Sequence, residues 1–208
     1  MTLCNMNITQ NRFESNTATR EGGGIYYNYK RPVMSNNTFI NNQASYGPNI
    51  ASYPVKIVFN DSATDNMSIT DIGSGIKYEN TIILALVDYD NQVIKSNSKD
   101  LININSANFS ESSILSINNA QLNQGIASFN DLIFQGQPGS SNIKFVASSP
   151  AIDTKKIQTI FGSQISDNQI DASFRWCKPG EIYDLNKSCV QCSADTYSFT
   201  WNSTSCNK

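Results

Sequence analysis

The chain has 208 residues, with 15 Lys+Arg against 17 Asp+Glu, a formal net charge of −2 and no histidine. Without imidazole it can hold no Ser-His-Asp or Cys-His nucleophile, no HExxH zinc site and no histidine-ligated haem. Its slightly acidic balance also argues against a nucleic-acid partner, which needs a basic face. Only 15% of residues are charged, and polarity comes instead from 27 Asn and 27 Ser. These side chains compete for backbone hydrogen bonds and favour turns and strand edges over helix interiors.

Residues 1–53 carry an internal repeat. One copy reads Asn11-Arg-Phe13-Glu-Ser-Asn16-Thr-Ala18, then Gly22-Gly23-Gly24-Ile25-Tyr26. The next reads Asn37-Thr-Phe39-Ile-Asn-Asn42-Gln-Ala44, then Gly47-Pro48-Asn49-Ile50-Ala51. Asn, Phe, Asn and Ala return after 26 residues and the glycine stretch after 25, so one residue is lost between Ala44 and Gly47. A period of this length signals a stacked supersecondary unit. Phe is expected to point inward, Asn to ladder along the turns and Gly to permit a tight corner. Those are the physics of a parallel β-helix, whose coils bury their apolar faces against one another. Two packed β-hairpins are the alternative. The pattern resembles the Asn/Phe…Gly-Gly repeats of pectin-lyase-like β-helices in large surface proteins of the polymorphic outer-membrane-protein type. Pro48 lacks an N–H and marks the second copy as the last coil, with Pro54 closing it.

Residues 54–162 change character. Short apolar runs recur at spacings near ten: Val55–Phe59, Met67–Ile72, Thr81–Val87, Gln92–Ile94, Leu101–Ile104, Ile114–Ile117, Ile126–Phe129, Leu132–Phe134, Ile143–Val146 and Lys156–Phe161. Turn signals such as Asp88-Tyr-Asp90-Asn91 and Gln137-Pro138-Gly139-Ser140 separate them. No run has sustained helical periodicity, so these stretches predict an all-β sandwich without helices. Thr81 to Asn91, and Gly125 to Leu132 with Gly139-Ser140, resemble strands of Ig-like repeats of the filamin and bacterial surface type. There is no Cys…Trp…Cys framework of the antibody kind.

A polar stretch, residues 163–175, reads as a linker to a cysteine-rich module at 176–208. Cys177-Lys-Pro179-Gly180-Glu-Ile-Tyr183, Cys189-Val-Gln-Cys192 and Tyr197-Ser198…Cys206 resemble the growth-factor-receptor cysteine-rich repeat in its ephrin-receptor-like form. Nothing resembles a kinase glycine loop or catalytic loop. The bridges expected on this resemblance are Cys177–Cys189 and Cys192–Cys206; four cysteines permit three connectivities, and spacing alone does not choose among them. Zinc is the competing use, but only one C-x-x-C pair is present, whereas structural sites normally use two. A module this small needs staples to fold. Disulfides imply an oxidising compartment. The N-terminus has no basic n-region or apolar h-region, and no eighteen-residue apolar stretch exists. The chain is therefore expected to be part of a longer secreted or membrane-anchored protein. Any membrane association would come through parts outside this sequence. Chains joining these three kinds of module resemble the large, Asn-rich surface proteins of ciliated protists.

The remaining chemistry is sparse. Sequons at Asn7, Asn36, Asn60, Asn66, Asn108, Asn186 and Asn202 are candidates for glycosylation. Cys4 reads as a small buried hydrophobe. Asp88, Asp90 and Asn91 offer hard oxygen ligands for calcium, but they lack the Gly and distal Glu of an EF-hand and fit an acidic hairpin turn. Gly22-Gly23-Gly24 lacks the Lys-Ser/Thr of a phosphate loop and reads as a coil corner. Tyr26, Tyr27 and Tyr29 form an aromatic cluster suited to packing or to sugar stacking. A β-helical carbohydrate-active enzyme would draw on Glu14 and Glu21 as acids, with Arg12, Arg20, Lys30 and Arg31 as bases. Glycoside hydrolysis needs two carboxylates facing one cleft. The expectation is a non-catalytic extracellular scaffold or adhesion protein without cofactor or metal, with protein or glycan partners. A receptor ectodomain is the alternative.

Overall fold

A computed structural model describes residues 6–59, 66–163 and 168–208. Their fold is all-β apart from one short helix, with two disulfides toward the C-terminus. Cys4 and Asn60 lie outside the described residues.

The repeat folds as two coils of three strands: β1 (Asn7–Thr9), β2 (Arg12–Glu14) and β3 (Ile25–Tyr27), then β4 (Val33–Ser35), β5 (Thr38–Ile40) and β6 (Ile50–Ser52). Each strand of the first coil pairs in parallel with its counterpart in the second. Hairpins pair antiparallel, so the coil reading holds. The register reproduces the repeat. Arg12 faces Thr38 and Thr17 faces Gln43, whereas Glu21 faces Tyr46 and Ile25 faces Ile50. The offset drops by one residue between Gln43 and Tyr46, in the bend.

Phe13 stacks on Phe39, ring centroids 5.0 Å apart and planes 11° apart. Asn37 Oδ1 accepts from Asn11 N at 3.0 Å while its Nδ2 donates to Ile8 O at 2.7 Å. Asn42 repeats this with Asn16 N and Phe13 O, both at 3.0 Å. At each bend the side-chain amide pairs backbone groups that the ladder leaves over. Gly22 and Gly47 occupy equivalent corners at φ 63° and 57°, a region glycine enters without strain. Asn42 is buried and Asn37 only half-buried. Asn42→Ala is therefore expected to destabilise by about 1–3 kcal/mol, and by more than Asn37→Ala. Urea denaturation of the two variants measures the difference.

The chain runs through Tyr53 directly into β7 (Pro54–Phe59). Pro54 thus opens the sandwich rather than closing the coil. The following strands are β8 (Asn66–Ile72), β9 (Ile82–Asp88), β10 (Leu101–Ser106), β11 (Ser113–Ile114), β12 (Asn119–Gln121), β13 (Ile126–Phe129), β14 (Phe134–Gln135), β15 (Ile143–Ser148) and β16 (Gln169–Phe174). One sheet has the order β12-β10-β15-β16-β8 and the other β13-β9-β7, with β11 and β14 paired beside them. Alternate residues of both sheets meet in one core that includes Leu84, Leu86, Ile102, Ile104, Phe145 and Ile170. Phe134 packs edge-on against Phe145 at 4.9 Å in its centre.

Two sequence expectations are corrected here. Residues 163–175 do not form a linker throughout. Their second half is β16, antiparallel to β15 and parallel to β8, with Ile170, Ala172 and Phe174 buried in the core. The alternation of Gln169-Ile-Asp-Ala-Ser-Phe174 carries the strand signal, and the polar residues before it conceal it. The run Lys156–Phe161 is not a strand but part of α1 (Thr154–Phe161). Asp153 caps the helix by accepting from Lys156 N, and Gly162 ends it at φ 78°. Ile157 seats it against Tyr29 of the coil and Val55 of β7. No described helix is long and apolar enough to cross a membrane.

The C-terminal module holds a hairpin of β17 (Glu181–Tyr183) and β18 (Cys189–Gln191). Disulfides join Cys177 to Cys189 and Cys192 to Cys206, with Cα separations of 5.2 and 5.8 Å.

Candidate functional site

The polar residues of consequence gather at the two seams between modules. At the coil–sandwich seam Asp88, at the end of β9, is fully buried. Its Oδ1 accepts from the backbone N–H groups of Asp90 and Gln92, each at 2.9 Å. Its Oδ2 accepts from Tyr46 OH at 2.6 Å, Gln92 Nε2 at 3.1 Å and Ser52 N at 3.3 Å. Gln92 Nε2 also donates to Ile50 O at 2.9 Å. One carboxylate thus joins the second coil to the β9 turn. Asp90 completes the seam, taking Tyr27 OH at 2.6 Å and Arg31 Nε at 2.7 Å. Burial, and then the bond to Asp90, push the Tyr27 hydroxyl above the ordinary tyrosine range. Burial and the bond to Asp88 do the same to Tyr46. The carboxylates considered for calcium are engaged by protein donors. With Asn91 in the left-handed turn conformation at φ 61°, the stretch is a hairpin turn used as a clamp.

The second seam joins sandwich and cysteine module. Ser74, fully buried, donates its hydroxyl to Lys187 O at 2.5 Å and accepts from Gly136 N at 3.0 Å. Its carbonyl accepts from Cys189 N at 2.8 Å. Gln135 Nε2 reaches Asn186 O at 2.7 Å and Ser188 Oγ at 3.0 Å. Arg175 leaves β16 and grips Glu181 of β17 through two bonds of 2.8 and 2.9 Å. Their side chains are 10% and 17% exposed, so this pair is only weakly screened. Burial raises the Glu181 pKa, but bonds from Arg175 and Lys178 N outweigh it and hold the carboxyl below its ordinary 4.5. A lowered folded value means that its contribution is complete above the unfolded pKa and is lost as pH falls through the folded one. Cysteine-module docking should therefore weaken below about pH 4.5. Glu181→Gln should flatten that acid limb, which denaturation midpoints at a series of pH values would reveal. Cys177, Glu181 and Cys189 place potential metal-ligand atoms within 4.8 Å of one another, but the sulfurs are bonded to each other and Glu181 to Arg175.

The tyrosine cluster divides. Tyr27 and Tyr29 are buried, while Tyr26 and Tyr53 are 42% and 39% exposed. Tyr26, Tyr53 and Tyr29 form a row with centroid separations of 5.5 and 5.2 Å, and Lys156 Nζ lies 6.0 Å from the Tyr29 centroid. Burial first, then the charge of Glu21, raise the Tyr26 pKa to about 12, with Arg20 opposing. Glu14 is held by Arg12 at 2.7 and 2.8 Å on an exposed strand, and Glu21 accepts from Ser96 Oγ at 2.9 Å in a corner. The Gly22–Gly24 stretch is that corner: a Cβ on Gly23 would strike the carbonyl oxygens of Gln43 and Pro48.

Among the sequons, Asn7, Asn36, Asn66, Asn108 and Asn186 are exposed, and Asn202 is half-buried with its Oδ1 enclosed and unpartnered. Asn108 Oδ1 accepts from Ser110 N and Oγ at 3.2 and 2.8 Å. The clamp formed by Tyr27, Tyr46, Asp88 and Asp90 is not visible in the sequence, because its partners lie far apart along the chain. Comparison with protein families, curated proteins and solved structures finds no match.

Proposed function

We propose that the chain is a non-catalytic extracellular scaffold or adhesion protein, a stiff segment of a larger cell-surface protein of the kind found in ciliates. The observation that carries this reading is the pair of seams. A buried five-bond carboxylate locks the coils to the sandwich, and Ser74 with Arg175–Glu181 locks the sandwich to the disulfide module. Such joints resist bending, and a stalk or adhesin needs that property more than it needs a cleft. The disulfides support an extracellular or secreted setting. On this reading the exposed sequons carry glycans.

A receptor ectodomain is the second reading. It is favoured by Tyr197, Phe199 and Trp201 on the cysteine module, which are 46%, 70% and 58% exposed. Antibodies against the chain, applied to intact and permeabilised cells of its source, test the main reading. Labelling of intact cells that surface proteolysis removes is expected. Labelling only after permeabilisation contradicts it.

A further inference from the structure

The stack of coils is open at one end. β1, β2 and β3 each pair with a single neighbour, β4, β5 and β6 of the second coil. The second coil is clamped to the sandwich through Tyr46, Ile50 and Ser52. On the opposite side of the first coil no described strand is hydrogen-bonded to β1, β2 or β3. The inward-facing residues reflect this. Ile8, Phe13, Met34 and Phe39 are only half-buried, whereas Leu84, Ile102 and Phe145 of the sandwich are sealed. Two coils bury too little of their own apolar face, and a bare strand edge is a template for pairing.

That edge carries unused ladder groups. In the second coil Asn37 and Asn42 spend their side-chain amides on the backbone of the first. Asn11 and Asn16 hold the equivalent positions one coil earlier, yet their Oδ1 atoms accept no bond among the described residues. The β2 backbone is set in the same way. Thr38 N donates to Asn11 O, and Ser15 N to Ile40 O. Successive residues of a strand turn their N–H and C=O groups to opposite edges. Residues 11, 13 and 15 therefore face the second coil, and Arg12 and Glu14 present their backbone groups to the open edge.

β2 is also self-complementary, reading Arg12-Phe13-Glu14. An antiparallel copy centred on Phe13 sets Arg12 opposite Glu14 of the copy, and Glu14 opposite its Arg12. These are the residues whose backbone groups face outward, so the charge register and the hydrogen-bond register coincide. Directly opposed residues hold their Cβ atoms about 5 Å apart, and opposite charges there attract. Arg12 and Glu14 are 60% and 44% exposed and already meet each other at 2.7 Å. That bond spends two guanidinium N–H groups and one acceptor site on each carboxylate oxygen, which leaves both side chains able to pair again.

We propose that the open edge of the first coil is a self-association surface, on which a second copy of this chain docks head to head about a two-fold axis through β2. The two β2 strands pair antiparallel, Phe13 lies beside Phe13 of the copy, and two Arg12–Glu14 pairs cross the axis. A two-fold contact uses one patch twice and closes, so both bare edges are covered in one step. This contact is independent of the extracellular reading.

Sedimentation velocity on the intact chain over a concentration series tests it. A dimer and nothing larger is expected, dissociating in the micromolar range because short strand edges make a small interface, and weakening with added salt. Arg12→Glu and Glu14→Arg should each weaken dimerisation by about tenfold or more, since each sets like charges opposite one another. Their urea midpoints should match wild type, because both side chains are exposed. An equimolar mixture of the two variants should dimerise again, and so should the double variant, since both restore opposite charges across the axis. A monomer at every concentration, which follows if the edge stays bare or the chain covers it with its own residues, overturns the proposal. So does a dimer that both single variants leave intact, a mixture of the two that stays monomeric, or assemblies that grow beyond the dimer by head-to-tail contact.

Discussion

Asp88→Ala is expected to lower stability by about 3 kcal/mol or more, the largest effect of any single substitution considered. Five donors converge on this fully buried carboxylate. Truncation leaves the Asp90 and Gln92 amides without their acceptor and removes one of two partners from the Tyr46 hydroxyl and from Gln92 Nε2. Leaving buried donors unpaired costs more than the hydrogen bonds themselves contribute. Asp88→Asn keeps the volume and one acceptor oxygen. It also presents an N–H₂ to the donors that Oδ2 now receives, so its loss should be smaller yet substantial. Tyr46→Phe removes a hydroxyl bonded to Asp88 and to both backbone groups of Ser52, and should cost about 1–2 kcal/mol. Urea denaturation of all three variants checks the order Asp88→Ala, Asp88→Asn, Tyr46→Phe. Equal midpoints for Asp88→Ala and wild type would mean that the seam contributes nothing.

Reduction of the disulfides should melt the C-terminal module and spare the sandwich. The bridges span 12 and 14 residues, and each such loop contributes about 3 kcal/mol by constraining the unfolded chain. The module has almost no apolar core of its own. Its buried residues are Cys177, Cys189, Ser188 and Ser198, while Leu185, Val190, Phe199 and Trp201 face solvent. The sandwich, by contrast, closes its own core from Ile57 to Phe174. Limited proteolysis after dithiothreitol treatment should cut within residues 178–206 and leave a resistant fragment ending near Phe174. Cleavage inside β9 or β15 at the same protease dose would show that the sandwich depends on the bridges.

The coils were the most legible part of the chain. Asn11/Asn37 and Phe13/Phe39 recur at one period, and because parallel coils stack equivalent residues, the sequence offset becomes the strand register. The single-residue loss before Gly47 was readable for the same reason. The cysteine module was legible as a stapled unit because its spacing is local. Two elements were not. In α1, eight residues bury only Ile157, too few for helical periodicity to emerge, although Asp153 and Gly162 stand at its ends as capping residues. In β16, the alternation is clear but follows Ser, Asp and Asn residues that read as linker. The seam clamp was beyond reach for a different reason. Asp88 and Asp90 look like ordinary turn acids until Tyr46 and Tyr27, 42 and 63 residues away, are brought against them.

A stiff scaffold requires modules joined without a hinge. Amide hydrogen exchange across residues 169–191 of the intact chain tests this most directly. β16 amides such as Ile170 and Ala172, and the Cys189 amide bonded to Ser74 O, should be protected to the same extent as those of β9. Rapid exchange from 169 through 178, with protection resuming only inside the cysteine module, would show a free linker and contradict the rigid scaffold.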